Sequence, residues 1–260
     1  MKVVLFCGGL GMRLYPTTEN IPKPLVLVGE KPMIWHLMKY YAYFGHKEFI
    51  LCLGYKGEQI KKYFLNYDEC LANDFVLSQG GKKRQILKSD LEDWRITFVE
   101  TGLSSNIGQR LKAVQKLVEG EKSFFANYTD AVTDFYLPNL VDFFAKHKKI
   151  GCFLAVKPYS SFHVVSLHAD RSVKSISPAC DSNIWINGGF FIFKNEIFNY
   201  INEGEDLLAE PFQRLMDKNE LAAYKYDGFW ANLDTYKDKQ QLDFLSSSDN
   251  APWQIWKISK

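Results

Sequence analysis

Short, continuously apolar runs alternate along this chain with stretches in which apolar residues return every three or four positions. Val3-Val4-Leu5-Phe6-Cys7 is apolar at every position, the pattern of a strand covered on both faces of a parallel sheet. Pro32 predicts a helix start, with Ile34, Leu37, Tyr41 and Phe44 on one face and Gly45 as the stop. Glu48 to Leu53 repeats the strand pattern, and Gly57 to Tyr67 reads as a helix with Ile60 and Phe64 inward. Strand, helix, strand, helix in this order predicts a right-handed parallel α/β unit. Ile96 to Glu100 and Ser123 to Tyr128 are two more strands. A helix with Ile107, Leu111, Val114 and Leu117 on one stripe separates them.

From Gly151 the strands shorten: Gly151 to Val156, Phe162 to Leu167, Val173 to Ser177 and Asn187 to Phe193. They are expected to add mixed or antiparallel strands to the sheet and to house a second substrate. A polar helix over Leu207 to Leu215, a strand over Ala223 to Tyr226 and a last helix behind Asp234 complete the pattern. Residues 68–94 break it. Ser78-Gln79-Gly80-Gly81-Lys82-Lys83-Arg84 is polar and has no core face, which fits a solvated basic hairpin. An excursion that covers a nucleotide or touches a neighbouring subunit is the other reading.

The candidate chemistry begins where the first strand ends. Gly8-Gly9-Leu10-Gly11-Met12-Arg13-Leu14 leads on to Ile21-Pro22-Lys23-Pro24-Leu25. Glycines behind a buried strand let backbone N–H groups approach a ligand closely, and successive N–H groups make a concave anion site. Arg13 and Lys23 add positive charge, so a phosphate-binding loop is preferred over a plain turn with incidental charges. The Gly-Lys-Ser/Thr ending of a P-loop is absent, and Leu14 stands where a dinucleotide fingerprint needs its third glycine. Gly108 and Arg110 fall near a helix start, where anionic ligands are favoured, although Arg110 by itself also fits a surface charge. Asp130 follows the carboxyl end of a strand, the usual ligand edge of an open α/β sheet, and suits a Mg²⁺ that bridges to a nucleotide. Asp134 reads as the cap of the next helix. Asp234 reads as an N-cap or as the second carboxylate on a metal. His36, beside Trp35, reads as packed or superficial rather than catalytic.

Composition narrows the class. The chain has 260 residues, 47% of them hydrophobic and 15% aromatic, enough for one large or two small domains. A formal charge of +2 gives no reason to expect nucleic acid or an anionic membrane as partner. Five cysteines without metal-type spacing, three of them (Cys7, Cys52, Cys152) in apolar runs, suggest buried free thiols. No apolar stretch approaches membrane-spanning length, and a strand beginning at Val3 leaves no room for a signal peptide. A cytoplasmic enzyme is the expectation.

The glycine loop with Pro22-Lys23-Pro24 resembles the signature of sugar-phosphate nucleotidyltransferases. Gly54-Tyr55-Lys56-Gly57, Thr101-Gly102 with Gly108 and Arg110, Trp185-Ile186-Asn187-Gly188-Gly189-Phe190, and Gly228-Phe229-Trp230 through Asp234-Thr235 resemble the glucose-1-phosphate cytidylyltransferase branch. The likeness runs over nearly the whole chain. It implies a Rossmann-like, three-layer α/β fold with a mixed, mostly parallel central sheet and added antiparallel strands. One domain over residues 1–260 is expected, with a nucleotide half at 1–135, an acceptor half at 136–240 and a C-terminal tail at 241–260. The implied reaction joins CTP to a phosphorylated acceptor, giving a CDP-linked product and pyrophosphate. Carried over by position, Gly8, Gly9, Gly11, Met12, Arg13, Lys23, Gly108 and Arg110 would bind nucleotide. Arg13, Lys23 and Asp130 would be catalytic, and Asp130 with Asp234 would chelate Mg²⁺. Asn187 and Gly188, with His163, would face the acceptor. A trimer or hexamer is implied, with residues 68–94 near a subunit contact.

Three departures cluster on the acceptor side. Thr129-Asp130 replaces Gly-Asp, His163 follows Phe162 where glycine is usual, and Ser177-Pro178-Ala179 replaces the Glu-Lys-Pro that grips the sugar phosphate. His163, Arg171 or Lys174 is expected to stand in for that lysine. A non-sugar phosphate acceptor and a silent CTP-binding homologue are the alternatives.

Overall fold

The computed structural model describes residues 1–9, 20–87, 89, 91, 93–158, 163–248 and 251–257. Its first half runs β1 (Val3–Phe6), β2 (Leu27–Val28), β3 (Lys31–Pro32), α1 (Met33–Tyr43), β4 (Glu48–Leu53), α2 (Gly57–Leu65), α3 (Glu69–Ala72), β5 (Phe75–Ser78), β6 (Lys83–Ile86), β7 (Arg95–Glu100), α4 (Ile107–Ala113), α5 (Gln115–Val118) and β8 (Phe124–Tyr128). Then follow β9 (Ala131–Thr133), α6 (Leu137–His147), β10 (Gly151–Val156), β11 (His163–Leu167), β12 (Val173–Pro178), β13 (Ile186–Asn187), β14 (Phe191–Phe193), α7 (Glu210–Asp217), β15 (Leu221–Tyr226), β16 (Trp230–Asn232) and α8 (Tyr236–Ser247).

Parallel pairing of β1 with β4 and β8, and of β4 with β7, makes one half of the central sheet. Across β8 the sheet turns mixed: β14 runs antiparallel to β8, and β10 runs antiparallel to β14 and β13 but parallel to β15. All four residues of β1 are buried, because helices cover both faces. Val3 and Leu5 pack with Ile34, Leu37 and Tyr41 of α1 and Leu140 of α6. Val4 and Phe6 pack with Leu111 of α4 and Leu215 of α7. This is the expected Rossmann-like, three-layer arrangement, with layers of helix, sheet and helix.

Several local expectations change. Helix α1 is buried on nearly every side, not on one stripe, because β2, β3 and the C-terminal segment cover the face turned from the sheet. The stripe through Leu117 fails: the helix breaks at Val114, Val118 turns inward and Leu117 is 37% exposed. The run from Asn187 to Phe193 is two strands, since Gly189 (φ +78°) and Phe190 (φ +52°) both take the left-handed region and interrupt it. Buried Asn127 holds that break: its Oδ1 accepts from the Phe190 N–H at 2.9 Å, and its Nδ2 donates to Tyr41 Oη at 3.3 Å. Strands β11 and β12 pair with each other as a separate hairpin and do not join the central sheet. Asp134 caps nothing. Tyr136 occupies the N-cap of α6, and Asp134 accepts a hydrogen bond from Tyr226 Oη. Phe162 lies outside the described residues.

Candidate active site

Strand β1 delivers Gly8 and Gly9 to the carboxyl edge of the sheet, and β8 delivers Tyr128, Thr129 and Asp130 beside them. Between them lies a cleft of about 380 Å³, lined also by Lys23, Pro24, Arg110, residues 103–107 and Asp206. A carboxyl-edge cleft beside the first strand is where an open α/β sheet binds its ligand.

Lys23 is the electrostatic centre. It sits in a single 3₁₀ turn, Lys23–Leu25, whose conformation Pro22 and Pro24 restrict. Its Nζ lies 2.6 Å from Asp130 Oδ2 and 2.5 Å from Asp234 Oδ1, and its side chain is only 13% exposed. Burial by itself pulls the ammonium down, but the two carboxylates outweigh it and hold the group above its ordinary value. Asp234 is in turn fixed by Asn232, whose Nδ2 donates to Oδ2 at 2.7 Å. It is not the helix cap: Thr235 is, accepting from the Asp238 N–H in a capping box. Asp234 can thereby turn to Lys23. The two carboxylates thus share one cation, although β8 and the loop behind β16 are far apart in sequence.

Arg110 lies beneath the cleft, 3% exposed. Its Nη1 donates to the Leu53 carbonyl at 3.0 Å and to Thr101 Oγ1 at 2.7 Å, and its Nη2 donates to the Gly8 carbonyl at 3.2 Å. Burial lowers its pKa, with no carboxylate set against it. The guanidinium therefore ties together the ends of β1, β4 and β7 and sets the height of the glycine turn. A Cβ on Gly8 would lie 2.1 Å from the Arg110 Cζ, so a glycine there lets the backbone descend onto the arginine.

Gly108 stands in the first turn of α4, where Asn106 and Gln109 form a capping box. A Cβ there would come within 2.2 Å of the Glu205 carbonyl, so the residue lets the 204–207 loop press onto the helix start. That contact brings Asp206 to the cleft wall. Of the residues that the sequence placed at the acceptor, Asn187 donates through Nδ2 to Tyr128 Oη at 3.4 Å, while its Oδ1 accepts from the Gly189 N–H at 2.9 Å. Gly188 is buried, with its carbonyl accepting from Trp230 Nε1 at 2.9 Å. His163 lies exposed at the start of β11, opposite Pro178, on the separate hairpin. Gly11, Met12 and Arg13 lie outside the described residues.

A nucleotidyl transferase family model matches residues 2–239. The chain belongs to the nucleotidyl transferase family. It is 35% identical over 258 residues to a probable glucose-1-phosphate cytidylyltransferase of Bacillus subtilis, covering 98% of this chain and 100% of the relative. It is 36% identical over 257 residues to the glucose-1-phosphate cytidylyltransferase of Salmonella typhimurium, with the same coverage. Among solved structures, a putative glucose-1-phosphate thymidylyltransferase from Bacillus anthracis superposes with a TM-score of 0.68 at 19% identity, covering 95% of each chain. A UDP-glucose pyrophosphorylase from Acinetobacter baumanii gives 0.70 at 17% identity, over 99% of this chain and 96% of that one. These two likenesses establish the fold, and the family makes the chain a nucleotidyltransferase enzyme.

Sequence reasoning missed several members of this site. Asp206 and Tyr128 belong to no motif, and contacts between elements bring each into place; Asn232 lies within the 228–235 run, but only its bond to Asp234 gives it a role. Thr101 was read only as part of a dipeptide, yet its hydroxyl donates to the Leu53 carbonyl and accepts from Arg110.

Proposed function

We propose that this nucleotidyltransferase transfers CMP from CTP to a sugar 1-phosphate, with glucose-1-phosphate or a close analogue as acceptor, and releases pyrophosphate. The observation that carries the reading is Lys23 held between Asp130 and Asp234 on the floor of the carboxyl-edge cleft. The choice of cytidine and of a sugar phosphate rests on the two cytidylyltransferase relatives.

The chemistry needs a phosphate oxygen of the acceptor to attack the α-phosphorus of CTP while the pyrophosphate oxygen departs opposite it. A phosphate monoester is already anionic near neutral pH, so no general base is required. What the protein supplies is position and positive charge. The backbone at Gly8 and Gly9 supports the triphosphate, Lys23 offsets charge at the α-phosphate, and Arg110 keeps the floor at its height. Asn187, beside Tyr128, marks the direction from which the acceptor enters.

Two carboxylates already gathered around one cation are a hard-oxygen donor pair suited to Mg²⁺. Among the described residues no three acidic, histidine or cysteine side chains gather as a metal cage. Asp130 and Asp234 would therefore hold the ion with phosphate oxygens and water, as is usual for Mg²⁺. When bound, it would neutralise phosphate charge and align the reacting groups.

A pyrophosphate-release assay with CTP, Mg²⁺ and glucose-1-phosphate, with product analysis for CDP-glucose, tests the reading. Release that depends on both CTP and a sugar phosphate is expected. Absence of release with every sugar 1-phosphate, or a preference for another nucleotide, would overturn it. The cytoplasm as working compartment fits the free thiols of Cys7, Cys52 and Cys152.

A further inference from the structure

The carboxyl edge of the sheet carries a second cluster, on the same face as the cleft. Phe153 of β10 packs against Phe191 and Phe212 on that face, and alternation along the strand puts Ala155 and Lys157 with it. Ala155 is paired with Asn187 of β13 and with Lys225 of β15, and Val156 is paired with Ile186. Trp185, Asn187, Lys157 and Lys225 therefore share the face. Lys157 Nζ lies 4.7 Å from the centre of the Trp185 ring, and Lys225 Nζ lies 5.1 Å from it. Lys157 also donates to the Ser182 carbonyl.

Among the described residues, neither ammonium forms an ion pair. Trp185 Nε1 is shielded from solvent and has no acceptor. Two cations and an indole donor thus gather without an ion-pair partner among the described residues. Buried donors are ordinarily satisfied, and like charges do not converge on one ring without a counter-charge to gain.

The position of the cluster says which part of a ligand it meets. From β8, which ends at the cleft, the strand order runs through β14 to β10 and on to β15. At roughly 4.8 Å per strand, β10 stands about 10 Å from β8 and β15 about 14 Å from it. The reacting phosphate belongs at Lys23 and Asp130, so the two lysines meet the opposite end of the acceptor, beyond Asn187.

We propose that the acceptor carries a second anionic group, a phosphate or a carboxylate remote from the reacting phosphate, and that Lys157 and Lys225 bind it over Trp185. This deepens the reading above and rests on it. It also gives the missing Glu-Lys-Pro motif a counterpart: the positive charge has moved from β12 to β10 and β15, and to the far end of the acceptor.

The test compares glucose-1-phosphate, glucose-1,6-bisphosphate and glucuronic acid 1-phosphate as acceptors with CTP, for the wild type and for a Lys157→Met/Lys225→Met double variant. At least one acceptor with a charged far end is expected to exceed glucose-1-phosphate by about tenfold in kcat/KM, carried in KM, as charge-assisted hydrogen bonds would give. The double variant should bring that ratio to about one. The bisphosphate and the uronate separate a phosphate from a carboxylate ligand. A ratio near one in the wild type, or a ratio that survives the double variant, would overturn the proposal. If no acceptor releases pyrophosphate, the reaction assignment fails, and calorimetry decides the proposal independently. Tenfold tighter binding of the bisphosphate than of glucose-1-phosphate, lost in the variant, upholds it; equal binding overturns it. Thermal melts and single Lys157→Gln and Lys225→Gln variants guard against misfolding.

Discussion

Lys23, Asp130 and Asp234 make a net negative trio, and each removal unbalances it differently. Asp130→Asn keeps a hydrogen-bonding group beside Lys23 but takes away one of the two anionic oxygens. Transfer is expected to fall by about 100-fold or more, the scale of losing one preorganised electrostatic group, while the melting temperature stays near that of the wild type. Steady-state pyrophosphate release and a thermal melt check both halves. Lys23→Met has the opposite effect on charge, removing the ammonium that lies between the two carboxylates. That variant should be inactive, and Mg²⁺ should raise its melting temperature more than it raises the wild type's. Equal Mg²⁺ shifts in the two proteins would argue against the carboxylates as the metal site. The trio was only half legible in the sequence. Lys23 and Asp130 stand in recognisable settings, a Pro-Lys-Pro and a strand end, but nothing in Asp234-Thr235 says which of the two residues caps the helix. The capping box with Asp238 decides it, and that is a matter of backbone direction.

At the scale of elements, helix α1 depends on one histidine. His36 Nε2 donates to the Val28 carbonyl at 2.9 Å, and Trp253 Nε1 donates to His36 Nδ1 at 3.3 Å, so the ring must be neutral. Burial holds its pKa down at about 4. A folded pKa below the unfolded value means the unfolded chain binds more protons between about 6.5 and 4. Stability is therefore full above that window and falls as pH drops through it, by on the order of 3 kcal/mol from this group. Denaturant unfolding at steps from pH 7 to 4.5 should show this slope together with that of His46, whose pKa burial also holds down, and His36→Gln should remove the His36 part of it. Gly108→Ala acts on another junction. The methyl group would press on the Glu205 carbonyl, which should cost about 1–3 kcal/mol and weaken CTP binding as the Asp206 loop lifts. Melting temperature and KM for CTP measure the two effects. The strands and the order of the α/β units were readable from period alone, because burial on both faces leaves no polar position to confuse them. The break at Gly188–Phe190 and the separate β11–β12 hairpin were not, since each depends on a contact from another strand.

For the whole molecule, the 68–94 excursion is the part that the central sheet does not explain. It folds as α3 and the β5–β6 hairpin. Cross-strand pairing puts Phe75 opposite Ile86 and Leu77 opposite Arg84 on one face. Phe75 and Leu77 are exposed, Leu77 by 57%, and so is Leu71 of α3. Apolar groups gathered on such a hairpin are suited to covering by another copy of the chain. Light scattering is expected to give a homo-oligomeric mass, a multiple of 30.1 kDa, and Leu77→Asp should shift it toward the single chain. A monomeric wild type would remove the argument. As a linear string this segment looks basic and polar because its charges crowd the turn; its apolar positions form one surface only when the strands pair.

The guanidinium of Arg110 has a consequence for how the molecule opens. The Cys7 N–H bonds to the Cys52 carbonyl at 2.9 Å and the Thr101 N–H bonds to the Leu53 carbonyl at 3.0 Å, both within the strand ends that Arg110 fastens. With one side chain closing three strand termini, these amides cannot be released singly. In hydrogen exchange they should stay protected until the sheet itself unfolds. In Arg110→Lys, which cannot reach the same set of carbonyls, they should begin to exchange together, at a free energy well below that of global unfolding.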